Sequence, residues 1–445
     1  TGMHIFGGMN EGGNIRRIFD YIGISQLLNF QNLNSLNNIE IFVGSEKKRH
    51  SVSFNRANFV ESLSNIFPKE RINLRTYLKK VDEIMAQMDL FYLRSDKGIS
   101  VINNPDFNLP ANKFISKYIG DERLAAMLAV LNVLYAGEEN ITPAYLHSSI
   151  SSIFFDGACR IAGGYETLAN ALTSVITKNG GKVIVNSKVI KINTDGNKAV
   201  SILTDCGQVV QGDTFILASP LNELESLLDN PNLLSNAYKS FISSKKDSSS
   251  SFIVNIRLKK DKIQYTNQVG FFIEDYDKTW EQGSGSVINR FMYMTPPIAN
   301  QGQYAETLNV VAPLKWSSVA KWSNTQRGTR DKEYYIFKDK LVDVIIDKLS
   351  EIYPNLKDAI DYIDSATPLT IRDFIGVRQG AMCGLKKDCN DVITFIPTHT
   401  KIPNLFLTGQ SVNMHGFCGV TLTAVQTCDS ILGRDYIINK LNKHE

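Results

Sequence analysis

The residues from Asn404 to Leu432 concentrate the chemistry this chain could do. The run NLFLTG over 404–409 has the pattern of a short buried strand closed by Gly409; a loop bearing Gly416 and Gly419 follows, then a helical run with Leu422, Val425, Cys428 and Ile431 on one side. A strand that delivers the chain through glycines to a helix start leaves backbone N–H groups unpaired, and an anion or an electron-rich ligand can sit on them. The same pattern also describes an ordinary strand–turn–helix connection in any α/β protein. His415 lies inside this loop and is the candidate catalytic group, as a proton donor or as a structural member of the loop. Of the other histidines, His4 falls in a second glycine-bearing segment, whereas His50, His147, His399 and His444 fall outside both. No Ser-His-Asp order, metal-ligand spacing or paired carboxylates stand out.

A second segment, Asp156 to Pro220, supplies context. Ala162-Gly163-Gly164-Tyr165 opens an amphipathic helix carrying Leu168, Leu172, Val175 and Ile176; Asn179-Gly180-Gly181 closes it. A strand pair then runs from Lys182–Val185 to Lys188-Val189 and on through the hairpin to Asp205, and Asp213 to Ala218 reads as a further strand ending at Ser219-Pro220. This order resembles the second portion of the FAD domain in the phytoene desaturase, carotenoid isomerase and retinol saturase family of flavoproteins. Asn404 to Leu432 is similar to the end of that domain, the Leu369–Gly376 run to the stretch before it, and Thr1–Gly8 with Gly12-Gly13 to the segment leading out of it.

The resemblance implies FAD as cofactor, with NAD(P)H a candidate reductant, and assigns residues. Val189 sits where the family's backbone pairs with the adenine edge, and Ser219 and Pro220 where a strand ends near the ADP half. Gly409 and Gln410, with Gly419, Val420 and Thr421, match the turn and helix start that approach the pyrophosphate or ribityl chain and the flavin ring. A helix dipole aimed at the flavin's N1 and C2 carbonyl stabilises the anionic reduced form.

One departure limits the match. The strand, G-x-G-x-x-G turn and acidic residue that open a dinucleotide fold are absent. Gly283-Ser-Gly285 has only the first spacing, and the Gly7–Gly13 cluster follows no strand. The chain also starts at Thr1, at a point interior in the family, so an N-terminally truncated sequence is expected.

Composition bounds the rest. With 445 residues, 43% hydrophobic and 21% charged, the chain can bury more than one core. A formal charge of +3, with both signs interspersed, leaves no nucleic-acid footprint. The six cysteines lack a paired framework and read as reduced thiols of a cytoplasmic protein, with no metal site expected. No run reaches the ~18 apolar residues of a membrane span; peripheral membrane contact and oligomeric state stay open. Leu124–Leu134 reads as a buried helix capped by Asp121 and stopped near Gly137.

The expected fold class is α/β: a discontinuous FAD/NAD(P)-binding Rossmann-like domain with an inserted α+β substrate domain containing an antiparallel sheet. Residues 1–14, 156–220 and 368–445 are assigned to the FAD domain. Residues 15–155 form a mainly helical part of the substrate domain and 221–367 its sheet and helix. Ser251–Leu258, Gln268–Glu274, Val287–Met294 and Leu308–Pro313 read as strands, and Asp331 to Tyr353 as a long amphipathic helix stopped by Pro354. The implied function is an FAD-dependent oxidoreductase acting on a lipophilic polyene or isoprenoid, in a dry pocket without a charged clamp. A flavin-dependent isomerase and a cofactor-free remnant of the fold are the alternatives.

Overall fold

The computed structural model describes residues 5–95, 103–391 and 396–443, so His4 and His444 lie outside the described residues. Fourteen strands are present among them: β1 (Phe30–Asn32), β2 (Ile39–Val43), β3 (Lys48–Val52), β4 (Cys159–Ile161), β5 (Val189–Asp195), β6 (Lys198–Thr204), β7 (Val209–Gln211), β8 (Phe215–Leu217), β9 (Ser250–Leu258), β10 (Val269–Ile273), β11 (Arg290–Met294), β12 (Thr307–Leu314), β13 (Ile360–Ala366) and β14 (Leu405–Leu407). Seven of them make the largest sheet, in the order β13-β9-β12-β11-β10-β2-β3. Every pairing in it is antiparallel except β10 with β2, which is parallel in register Val269↔Ile39 to Ile273↔Val43.

Period-two alternation sends the side chains of each strand to two different cores. Ile39, Ile41, Val43, Val269, Phe271 and Ile273 face one core, shared with Phe59, Tyr77, Leu124 and Leu131 of the helices that precede β4. Phe252, Val254, Ile256, Phe272, Val310 and Ala312 face the other, closed by Leu341, Ile345 and Leu349 of the Lys332–Ile352 helix. Burial on both faces explains why these strands read as nearly continuous apolar runs. Across β2, β10 and β11 the rings of Phe42, Phe272 and Phe291 stack, with centroids 5.9 and 4.8 Å apart. Beside that ladder the buried carboxylate of Glu40 accepts a 2.5 Å hydrogen bond from the Tyr293 hydroxyl.

The four strands and the long helix expected in the second insertion are present, Asp331 capping the helix by accepting from the Tyr334 N–H. The mainly helical region before residue 155 also supplies β2 and β3, which close the free edge of the large sheet at β10. Two expectations need correction. The Asp121-capped helix runs as α-helix only over Glu122–Ala129 and tightens into a 3-10 turn at Val130–Tyr135, where the Asn132 amide turns to donate 2.8 Å to the Thr279 carbonyl. Lys182–Val185 pairs with no strand among the described residues, and Val189 is instead the first residue of β5, opposite Thr204.

β8 and β14 form a separate parallel pair, Leu405 opposite Phe215 and Leu407 opposite Leu217. Asn404 fastens that pair to the β5–β6–β7 sheet: its side chain accepts 3.0 Å from the Ala199 N–H and donates 2.8 Å to the Ala199 carbonyl and 2.9 Å to that of Asp213. In the pair Ile216 is 52% exposed, and in the unpaired Lys182–Val185 run Ile184 is 55% and Val185 72% exposed.

Phe272 carries the central stack with no room for relaxation on either side. Phe272→Ala is expected to lower unfolding free energy by about 3–5 kcal/mol in denaturant titration, whereas a loss under 1 kcal/mol would mean the ladder is not a core element.

Candidate functional site

The C-terminal edge of the β8/β14 pair brings four of the sequence-assigned residues together. Ser219 and Pro220 follow β8, and Gly409 and Gln410 follow β14. Gly409 has a φ of 90°, and a Cβ there would stand 3.4 Å from the Ala218 carbonyl, so the backbone turns away from the strand end at a point that favours glycine. Val189 lies in the other sheet, at the start of β5.

After Gly409 the chain loops through Ser411–Met414 and enters the Gly416–Leu432 helix, with His415 as its extended N-cap residue. The helix therefore starts three residues earlier than the sequence pattern implies. Gly419, Val420 and Thr421 belong to its second turn, where the Thr421 hydroxyl donates 2.9 Å back to the Phe417 carbonyl. The space over Gly419 is taken by Met414, whose backbone carbon would be 2.7 Å from an added Cβ. The close approach that this glycine permits is thus to its own loop.

Three contacts hold the helix start in place. Phe417 packs 4.3 Å from Phe6 and 5.7 Å from Phe19, centroid to centroid. Cys418 Sγ accepts from the Gly7 N–H at 3.5 Å. Further along, the Thr427 hydroxyl donates 2.9 Å to Leu407 in β14. The first-turn N–H groups lack partners within the helix, as at any helix start.

His415 makes no cap bond; its ring turns into a narrow cleft lined also by Tyr135, Ser248, Cys383 and Lys387. The cleft encloses about 240 Å3 of empty space, part of it open to solvent. His415 is buried, and neither ring nitrogen has a hydrogen-bond partner. Burial, reinforced by the neighbouring Lys387, pushes its pKa down to about 4, so the imidazole is neutral near pH 7.

Lys387, which lines the same cleft, was not legible as a site residue. Residues 383–386 run beside Lys246–Ser248, with Lys386 N–H donating to the Lys246 carbonyl and Ser248 N–H to that of Gly384. Extended backbone sends successive side chains to opposite sides: Lys386 pairs with Glu138 at 2.7 Å, and Lys387 turns inward. Burial, with the nearby Lys245 adding to it and Asp391 opposing, lowers the Lys387 pKa to about 7. The only sequence signal is the Lys-Lys doublet itself, in a run that is otherwise apolar from Ala381 to Leu385.

Tyr135 reaches the cleft from the helical layer. Its hydroxyl lies 3.0 Å from His147 Nδ1, and the Tyr77 hydroxyl lies 2.7 Å from His147 Nε2. The three side chains are almost completely buried, and burial lowers the His147 pKa to about 3. This histidine is a structural hydrogen-bonding group that orients Tyr135.

Both depressed histidines make the unfolded chain the better proton acceptor below pH 6.5, their ordinary value, so folded-state stability falls as pH drops from 6.5 toward 4. His415→Gln should shallow that acid limb while leaving the part due to His147. An unchanged limb in pH-resolved denaturant titrations would show that His415 is not buried neutral.

The chain from residue 1 to residue 432 matches the family model for flavin containing amine oxidoreductase. It is 23% identical over 472 residues to the all-trans-retinol 13,14-reductase of Danio rerio, covering 97% of this chain and 77% of that protein. It is 25% identical over 371 residues to the 4,4'-diaponeurosporene oxygenase of Staphylococcus haemolyticus, covering 80% and 68%. Among solved structures, an oxidoreductase from Methanosarcina mazei superposes with a TM-score of 0.59 at 16% identity, over 96% of this chain and 87% of that one. The α/β architecture with its antiparallel sheet is the fold of these proteins, and the match over all but the last residues makes the chain a member of the flavin containing amine oxidoreductase family, an FAD-dependent oxidoreductase.

Proposed function

We propose that this chain reduces carbon–carbon double bonds of a hydrophobic polyene or isoprenoid, or forms them by desaturating its single bonds, with the segments 15–155 and 221–367 forming the substrate side. The observation that carries this reading is the pair of Gly409 and His415 at one strand end: a left-handed turn followed by a buried imidazole with two unpartnered nitrogens, at the start of a 17-residue helix. These residues fit the flavin end of FAD, which supplies hydride transfer at its ring when bound. Gly409, Gln410, Ser219 and Pro220 would border the phosphate side, and Val189 the adenine side through its backbone. Gly419 to Thr421 would act only indirectly, by setting the Met414–His415 loop.

His415 has the protonation state of a relay group. Neutral near pH 7, it can take a proton from one side and deliver one to the other, and saturation of a double bond needs a proton beside the hydride. The dry walls around it, including Leu146 and Leu385, keep bulk water from competing for the transferred hydride. Extended apolar substrates also agree with the relatives, named for retinol and diaponeurosporene.

The nucleotide side is less complete. The 445 residues contain no G-x-G-x-x-G turn, and the Lys182–Val185 segment has no strand partner among the described residues. This chain by itself should take up FAD weakly, well short of one per chain, when reconstituted and read by flavin absorbance; stoichiometric uptake would show that the turn is dispensable here.

Activity is tested with flavin-loaded protein reduced without oxygen. Addition of all-trans-retinol should reoxidise the flavin and shorten the polyene's conjugation, and His415→Ala should slow this step about 10²-fold while flavin stays bound. Faster turnover of small polar amines than of retinol would sink the polyene reading.

A further inference from the structure

We propose that Phe374 and Ile375, with the arginines around them, form a docking surface for the head-group layer of an anionic lipid bilayer. The docking stands on the surface alone; its purpose, giving a lipid-dissolved polyene a route to the site, rests on the reading above.

The Pro368–Ile375 helix is built to present these two side chains. Its start is fixed by a capping box between Thr367 and Thr370, and Leu369 and Ile371 face inward. Its last turn does the opposite: Phe374 is 63% and Ile375 61% exposed, and Phe374 is the one phenylalanine among the exposed large hydrophobic side chains of the described residues. Gly376, at a φ of 80°, ends the helix directly after them. Arg372 donates 2.6 Å to the Ser323 carbonyl and so braces the helix against the loop that leads to Arg330. The apolar tip is therefore held out on a fixed element, although folding has no use for it there.

Charge selects the occupant. Arg330 and Arg372 both pair with the single carboxylate of Asp373, and Arg327 lies 4.4 Å over the Phe374 ring with no carboxylate partner among the described residues. Residues 315–340 and 368–378 together hold nine Lys or Arg against four Asp or Glu, a surplus of +5 where the whole chain carries +3. A basic rim around an apolar tip suits an anionic bilayer: the apolar side chains enter the head-group layer while the guanidinium groups stay at the phosphates. A second copy of this chain fits poorly. A twofold contact would set the arginines against their own counterparts, and two apolar side chains fall far short of the ~800 Å2 per partner that a stable interface buries.

The surface is also joined to the site. Beneath it Ile371, Val377 and Ala381 make an apolar cluster that shares Ile253 and Met382 with the larger core, and Cys383 of the same stretch lines the cleft of His415.

Vesicle flotation with the unmodified chain, without flavin, tests this. At low salt the chain should bind phosphatidylcholine vesicles containing phosphatidylserine about ten-fold more tightly than phosphatidylcholine alone, and added salt should weaken the binding. Phe374→Ser with Ile375→Ser should cut binding about ten-fold or more, and Arg327→Glu should weaken it on anionic vesicles only, while both variants keep the melting temperature of the unmodified chain. The emission gained by Phe374→Trp should be quenched by bromine-labelled phosphatidylcholine. Ile184→Ser with Val185→Ser, which removes another exposed apolar run, should bind as the unmodified chain does. Failure of the unmodified chain to bind anionic vesicles overturns the proposal, as does undiminished binding by the Phe374 and Ile375 double variant. Self-association that this double variant abolishes, without vesicle binding, overturns it in favour of a contact between copies. Vesicle binding without turnover of vesicle-borne retinol by the flavin-loaded chain leaves the surface standing and counts against the polyene reading alone.

Discussion

The Gly416–Leu432 helix is the member on which the other parts of the site depend. Its flank is bonded to β14 through Thr427, and its first turn is wedged by Phe417 among Phe6, Phe19 and Tyr165. Cys418 meets the backbone of Gly7, which itself lies against Ile153 so closely that a Cβ there would stand 2.8 Å from the Ile153 Cα. One helix start is thereby tied to the N-terminal segment, the helical layer and the C-terminal strand together. His415 is held by that junction rather than by hydrogen bonds of its own. Each aromatic pair adds about 0.5–1.5 kcal/mol beyond the area it buries, enough to keep the loop in one arrangement.

Desolvation sets the chemistry of the cleft. Water would stabilise charge on both His415 and Lys387; burial removes it and drives each toward its neutral form, with Lys387 discouraging charge on His415 and Lys245 discouraging it on Lys387. Asp391 favours charge on Lys387 but does not reverse the shift. Arg290 is a contrasting buried cation nearby. Its guanidinium donates 2.6 Å to the Glu281 carbonyl and bonds the Asn132 side chain, so the cost of burying it is met by oriented dipoles. It braces the turn from which Tyr135 enters the cleft.

The two sides of the molecule differ in completeness. The seven-stranded sheet is covered on both faces by apolar layers, whereas the β8/β14 pair leaves Ile216 exposed. An uncovered parallel pair is uncommon, because parallel sheets ordinarily bury both faces. The seven-stranded framework is thus self-sufficient in packing, and the β8/β14 pair is not.

Local pattern alone determined a large part of this protein. Alternation in 251–258 and 308–313, the 3.6-residue period after Asp331, and the strand–glycine–helix order around Gly409 are each short-range signals, and each element formed. The family resemblance lay in the order of such signals, which is why it could be read without the glycine-rich turn. What the sequence left open were matters of long-range partnership. Lys182–Val185 has the residues of a strand but no neighbouring edge to pair with, and Ile39–Val43 became a sheet strand because β10 offered one. The helix start shifted to Gly416 because aromatic packing at Phe417 placed it there. Lys387 and Tyr135 joined His415 only through tertiary folding: nothing in a lysine doublet tells which side chain faces inward until the strand beside Lys246–Ser248 fixes the alternation. Charge state followed from the same cause, since a pKa depends on the water a fold excludes, and that is a property of the assembled chain.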